Sequence, residues 1–183
     1  MCGIIISSLS IPLASSKFVK KRGPDLTNKI KFNNINFEHY LLSLCGKLTK
    51  QPVIEDNILC IFNGEIYNYK SLLKDSVSDI FSIVYCYKKY GEDFVKYLDG
   101  EFVIIIFDFN QNKIIITSDI FKTKPLFYEI GEDIIISSYE SACMKIKKKD
   151  NYNQIQPNEI LVFSLNKENN NRKLLSKKKI FEF

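Results

Sequence analysis

The chain opens Met1-Cys2-Gly3-Ile4-Ile5-Ile6, and the reading of these six residues decides how the rest is read. Three consecutive β-branched residues fit a buried extended segment better than a helix start, so a strand is expected from Gly3 to Ser8, ended by Pro12. A cysteine stands at its head. With the initiator methionine removed, Cys2 carries a thiol and a free α-amine on one residue. Such an amine titrates near about 7.7 to 8.0, so a useful fraction is neutral at cellular pH and can take the proton of a nucleophile beside it. A second reading stays open at this point, because free cysteine is most often a small buried hydrophobe.

Outward from that stretch, strands dominate. Lys17 to Asp25 is basic and closes in the turn sequence Arg22-Gly23-Pro24-Asp25. Phe37 to Leu44 is read as a strand, Gly46 to Pro52 as a turn, and Asn57 to Phe62 as a strand running straight into Asn63-Gly64-Glu65. A glycine there marks a tight turn or a close backbone approach. The period then changes. Ile80, Ile83, Val84 and Tyr87 recur at helical spacing between a cap at Ser78 and a stop at Gly91. Phe102 to Phe109 and Lys113 to Thr117 form a strand pair, Leu126 to Ile130 and Ile134 to Ser137 a hairpin, Glu140 to Lys147 a short helix, and Glu159 to Leu165 a last strand. Several strands are apolar on both faces, which calls for sheets covered on each side.

A chain of 183 residues has room for one domain with a substantial core. We expect that domain over residues 1–165, followed by a polar, Lys- and Asn-rich tail over residues 166–183. The net charge of +5 is modest, and its basic clusters lack the aromatic interleaving of a nucleic-acid surface, so no nucleic-acid partner is expected. The longest apolar run, Phe102 to Phe107, is far below the roughly 18 residues of a membrane span. Ile4 to Ala14 lacks the basic flank of a secretory signal. Five cysteines at wide spacings, with no C-x-x-C pair, disfavour zinc and a disulfide framework and favour a reducing, cytoplasmic setting. No phosphate-cradling glycine loop is present, and no cofactor or metal is expected. The one histidine, His39, lies in an apolar stretch and reads as a hydrogen-bonded structural residue rather than a relay.

Cys2-Gly3-Ile4, Arg22-Gly23-Pro24-Asp25 and Asn63-Gly64-Glu65-Ile66-Tyr67-Asn68 occur in this order, followed by Ser78-Asp79, Asp99-Gly100-Glu101-Phe102, Asp119, Lys124-Pro125-Leu126-Phe127-Tyr128 and Ile155-Gln156-Pro157. Together they resemble the class II glutamine amidotransferase domain of the asparagine synthetase family. Leu48-Thr49-Lys50-Gln51-Pro52-Val53 is closest to the divergent asparagine synthetase domain-containing proteins. The resemblance implies an α+β fold, the four-layer αββα sandwich of two antiparallel sheets found in N-terminal-nucleophile hydrolases. It also implies glutamine as substrate, hydrolysed at its side-chain amide to glutamate and ammonia through a thioester on Cys2. Carried over, the side chain of Asn63 and the backbone N–H of Gly64 form an oxyanion hole, and Glu65 and Asp79 hold the substrate's α-amino group.

Three departures qualify this. The family holds glutamine's α-carboxylate with an arginine at the position of Leu41, and the chain's two arginines, Arg22 and Arg172, lie elsewhere; Lys47, Lys50 and His39 are the candidates to replace it, with Cys45 also non-basic. Ser118 and Lys122 stand where the family usually has Arg and Gly. The sequence ends at Phe183 without the Ser-Gly-Gly-x-Asp-Ser loop of the synthetase domain, so a separate ATP-dependent synthetase subunit is expected to take the ammonia. The alternative is a catalytically weakened amidotransferase fold acting as a binding or regulatory subunit.

Overall fold

The computed structural model describes residues 1–44 and 46–182; Cys45, counted above among the cysteines, and Phe183 lie outside the described residues. In chain order the elements are β1 (Gly3–Ser7), α1 (Leu13–Val19) with a 3₁₀ turn at Lys20–Arg22, β2 (Leu26–Phe32), β3 (Ile35–Leu41), β4 (Val53–Glu55) and β5 (Ile58–Ile66). There follow α2 (Tyr69–Leu72), α3 (Asp79–Tyr90), a 3₁₀ segment (Gly91–Tyr97), β6 (Gly100–Asp108), β7 (Lys113–Ser118), β8 (Phe127–Ile130) and β9 (Ile134–Ser137). The chain closes with α4 (Glu140–Ile146), β10 (Asn153–Gln154), β11 (Glu159–Ser164) and β12 (Leu174–Lys179). Two antiparallel sheets result, in the orders β10-β8-β9-β1-β3-β2 and β12-β11-β7-β6-β5-β4.

The period-2 geometry of strands sorts their side chains into layers. Ile4 and Ile6 of β1 point between the sheets, where they meet Leu59 and Ile61 of β5 and Ile105 of β6, while Ile5 points the other way onto Val19 of α1 and Ala142 of α4. On the second sheet, Cys60, Phe62, Ile104 and Ile106 face away from that central core and receive Ile80, Ile83 and Val84 of α3. The order of layers is therefore α1 and α4, first sheet, second sheet, α3, which is the expected four-layer sandwich. Strands that are apolar on both faces are the direct consequence of being covered twice.

Several boundaries differ from the sequence reading. The hairpin β2–β3 was not expected, although β2 alternates half-buried and exposed positions along its length. Its turn is Asn33-Asn34, both left-handed at φ 46° and 62°, a primed turn made without the glycine that usually signals one. Asp56 and Asn57, at φ 51° and 60°, join β4 to β5 in the same way. The strand expected to reach Leu44 ends at Leu41, and β5 continues past Phe62 through Asn63-Gly64-Glu65 to Ile66. Gly64 thus sits inside a strand, and it is the close-approach reading that applies. The polar segment after Leu165 is not merely a tail: its residues Leu174–Lys179 pair with β11 as an edge strand. Exposed lysines and exposed Leu174 and Leu175 hide the alternation there, and charge along an open edge discourages pairing with other chains.

Candidate active site

Cys2 immediately precedes β1, in the middle of the first sheet, and Asn63-Gly64 lie toward the end of β5, in the facing sheet. Packing the sheets brings them into one cavity, whose walls also include Leu41, Lys47, Glu65, Asp79, Glu101 and Lys124. All five residues singled out from the sequence, Cys2, Asn63, Gly64, Glu65 and Asp79, line it. Met1 lines it too, so removing Met1 would enlarge the cavity and place the α-amine of Cys2 within it.

Cys2 is buried, and its Sγ lies between the backbone N–H of Leu42 at 3.5 Å, which donates to it, and the Leu42 carbonyl at 3.7 Å, which accepts from the thiol. Burial pushes the thiol above its ordinary range, with the Asp79 carboxylate adding to the effect, against the pull of the Leu42 backbone, the N-terminal charge and Arg22. The thiol is therefore protonated at neutral pH, and its chemistry needs a base. Arg22 Nε donates to the Cys2 carbonyl at 2.8 Å while its guanidinium lies over the Tyr139 ring at 5.0 Å. The arginine of the turn motif thus clamps the main chain of Cys2 and is not part of the cavity wall.

Asn63 is fully buried, and neither Nδ2 nor Oδ1 has a hydrogen-bond partner. Leaving a buried amide unpaired costs about 1–3 kcal/mol, so such a group in a cavity wall is poised for a ligand. Its position is set through the preceding residue. The Phe62 N–H donates to Gln51 Oε1 at 2.8 Å. Gly64 has φ +146°, and a Cβ there would meet the Glu101 carbonyl oxygen at 2.0 Å. No other residue allows β5 and β6 to approach so closely.

Asp79 is the first residue of α3, where the helix dipole and the N–H groups of the first turn favour a carboxylate. It accepts from the Ile66 N–H at 3.3 Å and from Ser78 Oγ at 3.2 Å, and burial still holds its carboxyl above the usual range. Glu65 stands opposite Glu101 across the β5–β6 ladder. Glu101 pairs with Lys124 Nζ at 2.8 Å, and Lys124 is itself buried. The turn that delivers Lys124 is organised by Asp119, which accepts from the N–H groups of Phe102, Phe121 and Thr123 and from Thr123 Oγ1. Within it Lys122 has φ +53°, the left-handed conformation for which the family's glycine is suited. Sequence reasoning missed Gln51, Glu101 and Lys124 as wall residues; each lies in a quoted motif, but only the packed sheets show where their side chains go.

Of the three candidates to replace the family's arginine, Lys47 lines the cavity and Lys50 does not. His39 is buried behind the wall, held neutral with a pKa lowered to about 4 by desolvation, its Nε2 unpartnered. It is no relay in the wall, but the hydrogen-bonded role expected of it is not met at Nε2.

Residues 1–181 match the model of the glutamine amidotransferase domain family. The chain is 34% identical over 131 residues to asparagine synthetase [glutamine-hydrolyzing] 2 of Bacillus subtilis, covering 66% of this chain and 18% of that protein. It is 30% identical over 179 residues to a probable asparagine synthetase [glutamine-hydrolyzing] of Dictyostelium discoideum, covering 86% of this chain and 32% of that one. The chain thus spans about a fifth to a third of the length of these relatives. Among solved structures, the glutamine phosphoribosylpyrophosphate amidotransferase of B. subtilis shares the fold, with a TM-score of 0.71 at 15% identity over 98% of this chain and 49% of that one. The fold, the cysteine at its head and the family match agree: the chain belongs to the glutamine amidotransferase domain family and is a class II domain on the N-terminal-nucleophile hydrolase fold.

Proposed function

We propose that this chain is a glutaminase of the asparagine synthetase type, with Cys2 as nucleophile once Met1 is removed. The α-amine of Cys2 takes the thiol proton, and Sγ attacks the carbon of glutamine's side-chain amide. As the tetrahedral intermediate forms, its oxyanion is held by Asn63 Nδ2 and the Gly64 N–H. The C–N bond breaks, the α-ammonium returns the proton to the leaving nitrogen, and ammonia departs. Water then hydrolyses the thioester, giving glutamate and the free thiol. Asp79 and Glu65 accept hydrogen bonds from the substrate's α-ammonium group.

The observation that carries this reading is the fully buried Asn63 amide, unpartnered at both polar atoms, in the wall of the cavity that also holds Cys2. A merely structural asparagine at that depth would be bonded. The relatives' names join glutamine hydrolysis to asparagine synthesis, which supports asparagine synthesis as the use of the released ammonia. A second reading, a weakened amidotransferase fold kept as a binding or regulatory subunit, is favoured by one observation: Leu41 lines the cavity at the position of the family's arginine, and no arginine is among the lining residues.

Intact mass, then treatment with an electrophilic glutamine analogue and assay of glutamate release, separates the two. The glutaminase reading expects loss of Met1, one adduct on Cys2 and turnover that Cys2→Ala reduces to background. An authentic N-terminal cysteine with no adduct and no turnover selects the second reading.

A further inference from the structure

The three cationic candidates named from the sequence, and both arginines, have settled positions. Arg22 is committed to the Cys2 carbonyl and the Tyr139 ring. Arg172 donates to the carbonyls of Leu165, Gly131 and Glu132, away from the cavity. His39 is neutral and walled off, and Lys50 lies outside the lining. The side-chain cations in the wall are therefore Lys47 and Lys124, and Lys124 is already neutralised by Glu101 at 2.8 Å. Lys47 Nζ takes part in no ion pair or hydrogen bond among the described residues.

The main chain of Lys47 is fixed. Its N–H donates to the Val77 carbonyl at 2.8 Å, and its carbonyl accepts from Thr49 Oγ1 at 2.8 Å. Gly46 has φ +70°, and a Cβ there would meet the same Val77 carbonyl at 2.9 Å, so the loop lies directly against the segment that enters α3. Asp79 is two residues beyond Val77. An amino acid carries its ammonium and carboxylate on one carbon, so the groups that recognise them must be neighbours. Lys47 and Asp79 stand on adjoining segments in the wall of one cavity, with opposite charges.

We infer that Lys47 binds the α-carboxylate of the substrate, replacing the family's two-pronged arginine by a single ammonium contact next to the acceptor of the α-ammonium. This rests on the glutaminase reading for the identity of the substrate, and it makes the zwitterionic end of glutamine the determinant of binding. An ammonium contact is a point charge without the planar fork, so it tolerates more variation in carboxylate geometry than arginine does.

The test is calorimetric binding of glutamine to the Met1-processed chain carrying Cys2→Ala, alone and combined with Lys47→Met or Lys47→Arg, with 4-aminobutanamide, which lacks the carboxylate, as the control ligand. Lys47→Met is expected to weaken glutamine about 10- to 100-fold, the range of a charge-assisted hydrogen bond, and to leave the control ligand within threefold. Lys47→Arg is expected to restore most of the affinity. The inference is overturned if Lys47→Met leaves glutamine within threefold, if it weakens both ligands alike, or if glutamine does not bind the Cys2→Ala chain. Binding that follows this pattern in a chain whose wild type releases no glutamate would sink the glutaminase reading and leave Lys47 as the carboxylate site of a binding module.

Discussion

The two ends of the cavity are built in different ways. At the reacting end, Cys2, Asn63 and Gly64 are in or beside central strands, the first two buried and the third half-buried, and they are held by neighbours: Arg22 on the Cys2 carbonyl, Gln51 on the Phe62 backbone, and Glu101 against Gly64. At the recognition end Glu65 of β5 and Asp79 of α3 are joined in the wall by the loop after Leu41, where Ser43, Leu44 and Lys47 are exposed, and by the turn that delivers Lys124. Bond-making needs placement to fractions of an ångström, which strands supply; the holding of a substrate's charged end tolerates a loop and can change residue by residue. The domain's departures from its family follow that division. The proposed nucleophile and both proposed oxyanion donors are present, whereas the arginine is absent and Lys122 replaces a glycine.

The contrast can be pressed hardest at Asn63. Asn63→Ala is expected to lower kcat by about 10²- to 10³-fold, the usual effect of losing an oxyanion donor, with KM nearly unchanged. Its thermal midpoint should hold or rise, because the amide has no bond in the folded protein to lose. A large loss of stability in that variant would mean that Asn63 is a structural strut and that the reacting end is not preorganised for chemistry.

A second expectation concerns the frame behind that residue. His39 has an ordinary pKa of 6.5, and burial lowers it to about 4 in the folded chain. Between those values the unfolded chain binds a proton that the folded chain refuses, so stability present above pH 6.5 is lost as pH falls toward 4, by up to about 3 kcal/mol. Thermal melts across that window should show a midpoint falling with acid, and His39→Gln should flatten the slope. An unchanged slope would place the acid sensitivity elsewhere.

The smallest effect is expected at the recognition end. Lys124 retains 8% side-chain exposure, but its partner Glu101 keeps 37%, so Lys124→Met leaves a carboxylate that water can still reach. A loss of about 1–2 kcal/mol follows, below that of breaking a fully buried pair, and urea titration would measure it. A loss as large as that of a core truncation would show that the recognition end is as rigidly framed as the reacting end.

How much of this was legible beforehand depends on what kind of signal each residue left. The isoleucine runs of β1 and β6 and the helical spacing of Ile80, Ile83, Val84 and Tyr87 are local patterns, and they placed the central strands and α3 within a few residues. The β2–β3 hairpin was missed because its turn is Asn-Asn rather than Asn-Gly. β12 was missed because an edge strand with lysines on it has no buried face to alternate with. Within the site, Cys2 and Asn63-Gly64 were visible as ordered motifs, while Gln51 and Lys124 appeared only as parts of words without roles.

The sequence by itself determined that a cysteine heads a buried strand, that a strand runs straight into Asn63-Gly64-Glu65, and that no arginine stands at Leu41, since each is a matter of residue identity and short-range pattern. Tertiary structure alone decided that the ends of β1 and β5 share one cavity, that His39 is neutral behind its wall, that Arg22 holds the Cys2 carbonyl, and that Lys47 lies beside the entrance to α3. Those relations join residues tens of positions apart, and they arise only when the two sheets bury their apolar faces against each other.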